Sequence, residues 1–154
     1  MPVAPVAAQT VQNPQKKNLF LKGHTACAGC GPAIAMRMIT DALGSETVVC
    51  LATSCTEIFA TRFPTSQFGV PLVHSLFQNT PAVASGVARG LKQCGKKGVV
   101  AAIMGDGCAY DIGFGALSGA MERNEDFIAI VYDNEAYENT GVQRSGATPL
   151  HATT

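Results

Sequence analysis

Tryptophan is absent, and aromatic residues make up only 6% of the 154 positions. Charge is also scarce, at 14%, and eleven Lys and Arg balance eleven Asp and Glu to a formal net charge of zero. A chain with no basic excess or basic stripe lacks the electrostatic footprint of a nucleic-acid binder. Its apolar runs fall short of the length that crosses a bilayer, which argues against an integral membrane protein. Residues 1–18 lack a charged start followed by a long apolar stretch, so they do not read as a secretory signal. Their prolines and polar residues predict an extended or disordered leader, with a single domain over residues 19–154. What is present is 47% apolar content, which fits a compact α/β core and not a disordered chain. Low charge also suits a subunit that buries surface against others. Six cysteines without an export signal read as reduced thiols, open to metal or cluster binding before disulfide pairing.

Two segments carry the chemistry. The run 98–104 (G-V-V-A-A-I-M) has the length and β-branching of a buried strand, and Gly105-Asp106-Gly107-Cys108 follows it. Glycine on both sides of Asp106 predicts a sharp turn that a phosphate can approach. The run 112–123 is expected to be the crossover helix, and 127–132 (F-I-A-I-V-Y) the next parallel strand. Asp133-Asn134-Glu135-Ala136-Tyr137-Glu138-Asn139 follows that strand. Asp106 and Asn134 thus stand at neighbouring strand ends, where a carboxylate and an amide oxygen can share one magnesium ion bridged to phosphate.

Upstream, Cys27 and Cys30 form a C-x-x-C in a glycine-rich turn before a helical pattern from Pro32 to Leu43, closed by Gly44. Three readings are open: a dithiol redox pair, half a zinc site, or half an iron–sulfur site. The run 47–53 reads as a strand in which Cys50 faces the core, while Cys55 lies in a polar turn at its end. Residues 59–71 show no period and read as a loop or lid. A short strand at 72–77 places His74 in the core. Thr80 is expected to cap the next helix, with Pro81 in its first turn, Val83, Val87 and Leu91 as its apolar stripe, and Gly95 at its end. Cys94, at that helix end, reads as structural.

The sequences G-H-T-A-C-A-G-C-G, A-T-S-C-T-E-I and G-D-G with D-N-E-A-Y-E-N-T-G resemble the β subunit of the 2-oxoacid:ferredoxin oxidoreductases that bind thiamine diphosphate. The D-N-E-A-Y-E-N-T-G-V-Q-R-S-G-A-T-P loop closely resembles that of the pyruvate branch. This resemblance covers the chain from about Gly23 onward. It implies an α/β fold with a mostly parallel sheet and helices on both faces, incomplete at the carboxyl end. It implies thiamine diphosphate, held through Mg2+ by Asp106, Asn134 and the carbonyl of Ala136, with Gly105, Gly107 and Cys108 cradling phosphate. Pro32, Cys55, Glu135, Tyr137 and Glu138 would border the cofactor, and Asn139 would reach the reacting centre. Cys27, Cys30 and Cys55 would be ligands of a [4Fe-4S] cluster, with the fourth ligand beyond Thr154. His24 would orient cofactor or shield the cluster.

The implied activity is oxidative decarboxylation of pyruvate to acetyl-CoA and carbon dioxide, with electrons passed to ferredoxin, in the cytoplasm. The implied partners are α-, γ- and δ-type subunits, one of which supplies an acid–base glutamate, so the chain alone would not turn over. The loop fits pyruvate or branched-chain substrates better than 2-oxoglutarate. A non-redox thiamine enzyme would keep Asp106 and Asn134 but have no use for the three cysteines. A zinc-stabilised binding module would need only the C-x-x-C.

Overall fold

The computed structural model describes residues 18–154, so the leader expected over 1–18 lies, but for its last residue, outside the described residues. Four parallel strands form the central sheet: β1 (Thr47–Ala52), β2 (Leu72–Ser75), β3 (Val99–Gly105) and β4 (Ile128–Tyr132), in the order β2-β1-β3-β4. Register pairs Cys50 with Ala102 and Ile103 with Ile130, so the expected neighbours do lie side by side.

Strand periodicity of two sorts the core onto two faces. Val49, Leu51 and Ile103 face one side, where they meet Met36, Phe59 and Phe20. Cys50, Ala52, Ala102 and Met104 face the other, against Ala84 and Leu117. Helices α1 (Gly31–Leu43) and α2 (Cys55–Ala60) cover the first face, and α3 (Thr80–Gln93) and α4 (Phe114–Glu122) the second. This is the doubly wound α/β arrangement expected, and Cys50 is buried as read. Pro32 lies in the first turn of α1, and Gly44 (φ 82°) ends it.

Several local expectations are overturned. The polar turn at Cys55 is the start of α2, too short to leave a periodic signature, and held by burial of Thr56, Phe59 and Ala60. The segment 59–71 is a loop after Ala60, as one of its two readings had it, but not a lid: Phe59, Phe68 and Val70 are core residues, and Phe68 forms a β-bridge with Phe20. His74 is exposed because β2 is an edge strand; its Nδ1 lies 3.0 Å from Glu57 Oε1. Thr80 lies inside α3, whose N-cap is Asn79, and its buried hydroxyl pairs with Ser75 Oγ at 2.7 Å. The crossover helix expected over 112–123 is present as α4, but a π-helical turn, Gly107–Ile112, precedes it. No described helix is long and apolar enough to cross a membrane.

Candidate cofactor site

From β1 the chain proceeds to β2 on one side and to β3 on the other, so the sheet reverses its winding between β1 and β3. Open α/β sheets bind ligands at the carboxyl ends of strands at such a point. A small open cleft, about 100 Å³ in volume, lies there. Its walls are Thr53, Ser54 and Cys55 after β1, Gly105, Asp106 and Gly107 at the end of β3, and Tyr132 and Asn134 at the end of β4. Ile58, Phe77 and the segment 136–140 complete them.

Asp106 is 1% exposed and has helical backbone angles (φ −58°, ψ −42°). The G-D-G stretch therefore runs from strand straight into the π-helical turn, without the sharp reversal its glycines predict. Gly107 serves close approach instead: a Cβ there would stand 2.4 Å from Tyr137 Cε1. Tyr137 belongs to β5 (Ala136–Tyr137), which pairs antiparallel with β6 (Gln143–Arg144) around the short helix α5 (Glu138–Gly141). Glu135 enters this hairpin at φ 65°, its N–H donating to Asp133 Oδ1 at 2.9 Å. The Asx turn pays for a left-handed conformation that L-residues avoid.

The hairpin brings Asn134 over Asp106. The Asn134 amide lies 2.9 Å from Asp106 Oδ1 and 3.0 Å from the Ala136 carbonyl; with its NH2 inward it donates to both. Turned by half a rotation, it presents a third oxygen to the other two. Adjacent ligands of an octahedral Mg2+ at 2.0–2.1 Å stand about 2.9 Å apart, which the distances from the Asn134 amide to Asp106 Oδ1 and to the Ala136 carbonyl match. The opposite carboxylate oxygen, Asp106 Oδ2, accepts a hydrogen bond from Ser145 Oγ.

Cys55 is half-buried and within hydrogen-bonding reach of the Asn139 backbone and the Asn134 amide. Burial pushes its thiol pKa up and the Glu138 carboxylate adds to this, while the two hydrogen bonds pull it down. Tyr132 is raised mainly by burial, and its hydroxyl accepts from Thr56 N at 3.3 Å. Burial likewise pushes Tyr137 up to about 12, with the Asp111 carboxylate adding to it. Tyr137 Oη donates to Asp111 Oδ2 at 2.8 Å, and Gly146 N donates to the same oxygen at 2.9 Å.

Cys55, Gly105, Asp106, Gly107, Asn134, Ala136, Tyr137, Glu138 and Asn139 thus meet in one cleft. Pro32, Cys108 and Glu135 do not line it. Cys108 is turned into the core beside Ala109 and Leu117, where burial raises its pKa to about 11. His24 packs its ring against Phe20 and Phe59, at 5.6 and 5.9 Å, away from the cleft. Of the expected cluster cysteines, Cys30 and Cys55 pack against the same core cluster and lie close enough for their charges to interact. Cys27 sits in the exposed turn before α1, and among the described residues no three His, Cys, Asp or Glu form a metal-binding group. No local pattern in the sequence singles out Asp111, Ser145, Tyr132 or Phe77 for the site; only Ser145 stands in a run with turn character, Ser145-Gly146-Ala147-Thr148-Pro149.

Residues 52–154 match the family described as "Thiamine pyrophosphate enzyme, C-terminal TPP binding domain". The chain is 51% identical over 140 residues to the pyruvate synthase subunit PorB of Methanosarcina barkeri, covering 90% of this chain and 47% of that one. It is 46% identical over 147 residues to the Methanocaldococcus jannaschii PorB, covering 90% and 49%. It is 45% identical over 141 residues to the ketoisovalerate oxidoreductase subunit VorB of Pyrococcus horikoshii, covering 88% and 45%. The chain therefore spans about half the length of the curated relatives it matches. A solved 2-oxoglutarate:ferredoxin oxidoreductase from Magnetococcus marinus, with 2-oxoglutarate, coenzyme A and succinyl-CoA bound, superposes with a TM-score of 0.63 at 22% identity. That match covers 89% of this chain and 46% of that one, and it shows the fold alone. With its family match over two thirds of its length and its cleft at the switch point of the sheet, this chain belongs to the thiamine pyrophosphate enzymes and carries their C-terminal TPP-binding domain.

Proposed function

We propose that this chain is part of a pyruvate:ferredoxin oxidoreductase subunit, acting in oxidative decarboxylation of pyruvate to acetyl-CoA with partner subunits and ferredoxin. The observation that carries the reading is the convergence of Asp106 Oδ1, the Asn134 amide and the Ala136 carbonyl at the carboxyl ends of β3 and β4. Those oxygens would hold Mg2+ and, through it, the diphosphate of the cofactor. Bound thiamine diphosphate supplies an electron sink for breaking the bond between the carboxylate and the keto carbon.

The chain's own contribution is placement and exclusion of water. Asp106 is buried, with the Asn134 amide 2.9 Å from its Oδ1 and the Ser145 hydroxyl on its Oδ2. Ile58, Phe77 and the Tyr137 ring form apolar wall, with Phe77 and Tyr137 stacked at 5.8 Å. Asn139 and Cys55 lie together on the rim and would meet the substrate end of the cofactor. Glu138 is the other carboxylate of the cleft besides Asp106; the acid–base glutamate is proposed to come from a partner subunit. The [4Fe-4S] reading rests on the Cys27, Cys30 and Cys55 spacing alone. A cytoplasmic setting belongs to the same reading, since it keeps such thiols reduced.

The test is Mg2+-dependent binding of thiamine diphosphate to the intact protein as assembled in its cells, measured by calorimetry, with iron analysis alongside. Asp106→Ala is expected to abolish binding while leaving the circular dichroism spectrum unchanged; retained binding overturns the site. Pyruvate-dependent reduction of a viologen dye tests the activity. A branched-chain 2-oxoacid is the second reading, favoured by the likeness to the ketoisovalerate enzyme's subunit, and faster turnover of 2-ketoisovalerate than of pyruvate would select it.

A further inference from the structure

Asp106 has two carboxylate oxygens, and the structure gives them different tasks. Oδ1 faces the Asn134 amide, while Oδ2 accepts the hydroxyl proton of Ser145. Both residues are almost fully buried, at 1% and 2% exposure, so water does not compete for this bond. The alternative acceptor for the hydroxyl proton, Thr148 Oγ1, stands farther off, at 3.4 Å. Ser145 Oγ already accepts from Ala147 N at 3.2 Å, and a hydroxyl has one proton to give. The serine backbone is fixed as well: Ser145 N donates to Thr148 Oγ1 at 2.8 Å, and Thr148 Oγ1 donates to the carbonyl of Glu135. The loop after β6 thereby ties itself to the loop carrying Asn134 and presents one hydroxyl to one carboxylate oxygen.

That bond decides how Asp106 can bind a cation. Ca2+ takes six to eight oxygens at 2.3–2.6 Å and readily accepts both oxygens of one carboxylate. Mg2+ demands six ligands at 2.0–2.1 Å, with neighbours about 2.9 Å apart, wider than the bite of a carboxylate. A carboxylate with Oδ2 already hydrogen-bonded offers a single oxygen, which suits the smaller ion. We propose that Ser145 is a specificity-determining residue for the cation: by occupying Asp106 Oδ2 it holds the carboxylate monodentate and biases the site toward Mg2+ over Ca2+. The inference rests on the magnesium-held cofactor proposed above.

The experiment is calorimetric titration of thiamine diphosphate into the intact protein at graded MgCl2 or CaCl2, for wild type, Ser145→Ala and Ser145→Thr. Wild type is expected to bind at lower Mg2+ than Ca2+. Ser145→Ala should shrink the Mg2+ preference about tenfold, the lower end of what loss of an outer-shell partner does to metal affinity. Ser145→Thr keeps the hydroxyl and should keep the preference. Equal weakening with both ions in Ser145→Ala, or an unchanged ratio, overturns the proposal, because loosening of the loop alone does not discriminate between ions. A threonine variant that behaves like alanine overturns it too. Wild type that binds no cofactor with either ion defeats the underlying magnesium reading instead, so the two failures are told apart.

Discussion

Tyr137 lies so close to the backbone of Gly107 that a Cβ built there would stand 2.4 Å from Tyr137 Cε1 and 2.7 Å from its Cζ. The ring cannot swing aside freely, since Phe77 stacks on it and Asp111 holds its hydroxyl. Gly107→Ala should therefore push the ring, and with it the hairpin that carries Asn134 and Ala136. We expect a stability loss of about 1–3 kcal/mol, as for other overpacked sites, and a loss of Mg2+-dependent cofactor affinity. Urea unfolding and calorimetry on the same variant check both; unchanged affinity would mean that the ring does not position the loop.

Alkaline pH provides a second probe of the same tyrosine. Its pKa stands at about 12, above the ordinary value of 10, so the folded state holds this proton more tightly than the unfolded chain. The resulting stabilisation is complete below pH 10 and is lost as pH rises toward 12. The difference in urea midpoint between wild type and Tyr137→Phe should shrink as pH is raised from 9 to 11. Asp111→Asn removes a carboxylate that raises the pKa and should narrow the window from above. A difference that stays constant with pH would contradict both statements.

The six thiols should separate by reactivity. Cys50 and Cys108 are fully buried, with pKa values raised from 9.0 to about 11. Two units lower the thiolate fraction about a hundredfold at pH 8, before access is considered. Cys27 and Cys94 are exposed. Timed alkylation read by mass spectrometry should label Cys94 early, and Cys50 and Cys108 only on unfolding. Protection of Cys27, Cys30 and Cys55 in iron-loaded protein, lost on removal of iron, would be the signature of the cluster reading.

Phe20 shows how much the segment before the first helix contributes. It is fully buried, with ring centroids 5.3 Å from Phe68, 5.6 Å from His24 and 6.4 Å from Phe59. Phe20→Ala should cost about 3–5 kcal/mol, the range for deleting a buried aromatic side chain. Chemical denaturation measures it, and a loss under about 1 kcal/mol would show that this cluster does not support the sheet.

The two β-branched runs, the glycine-flanked aspartate and the spacing to Asn134 were legible because they are local. Strand periodicity, chain direction and the need for a crossover place Asp106 and Asn134 at adjacent strand ends whatever the side chains between them do. The bounds of α1 were legible for the same reason, since Pro32 at its start and Gly44 at its end act on their own backbone. By contrast, α2 has only six residues, and its helical state depends on Phe59 and Ala60 finding the sheet. His74 was misplaced because strand order, which no local pattern states, leaves β2 at an edge.

By itself the sequence determined the doubly wound α/β scaffold and the pair of oxygen-bearing residues at its switch point, because short-range periodicity and turn chemistry suffice for both. Only the tertiary structure decided that Ser145 and Asp111, 39 and 35 positions from Asp106 and Gly146 respectively, clamp the site, that Cys108 turns into the core, and that Cys27 stays outside. Those outcomes depend on which distant loops pack together, and packing is a property of the folded whole that no single stretch encodes.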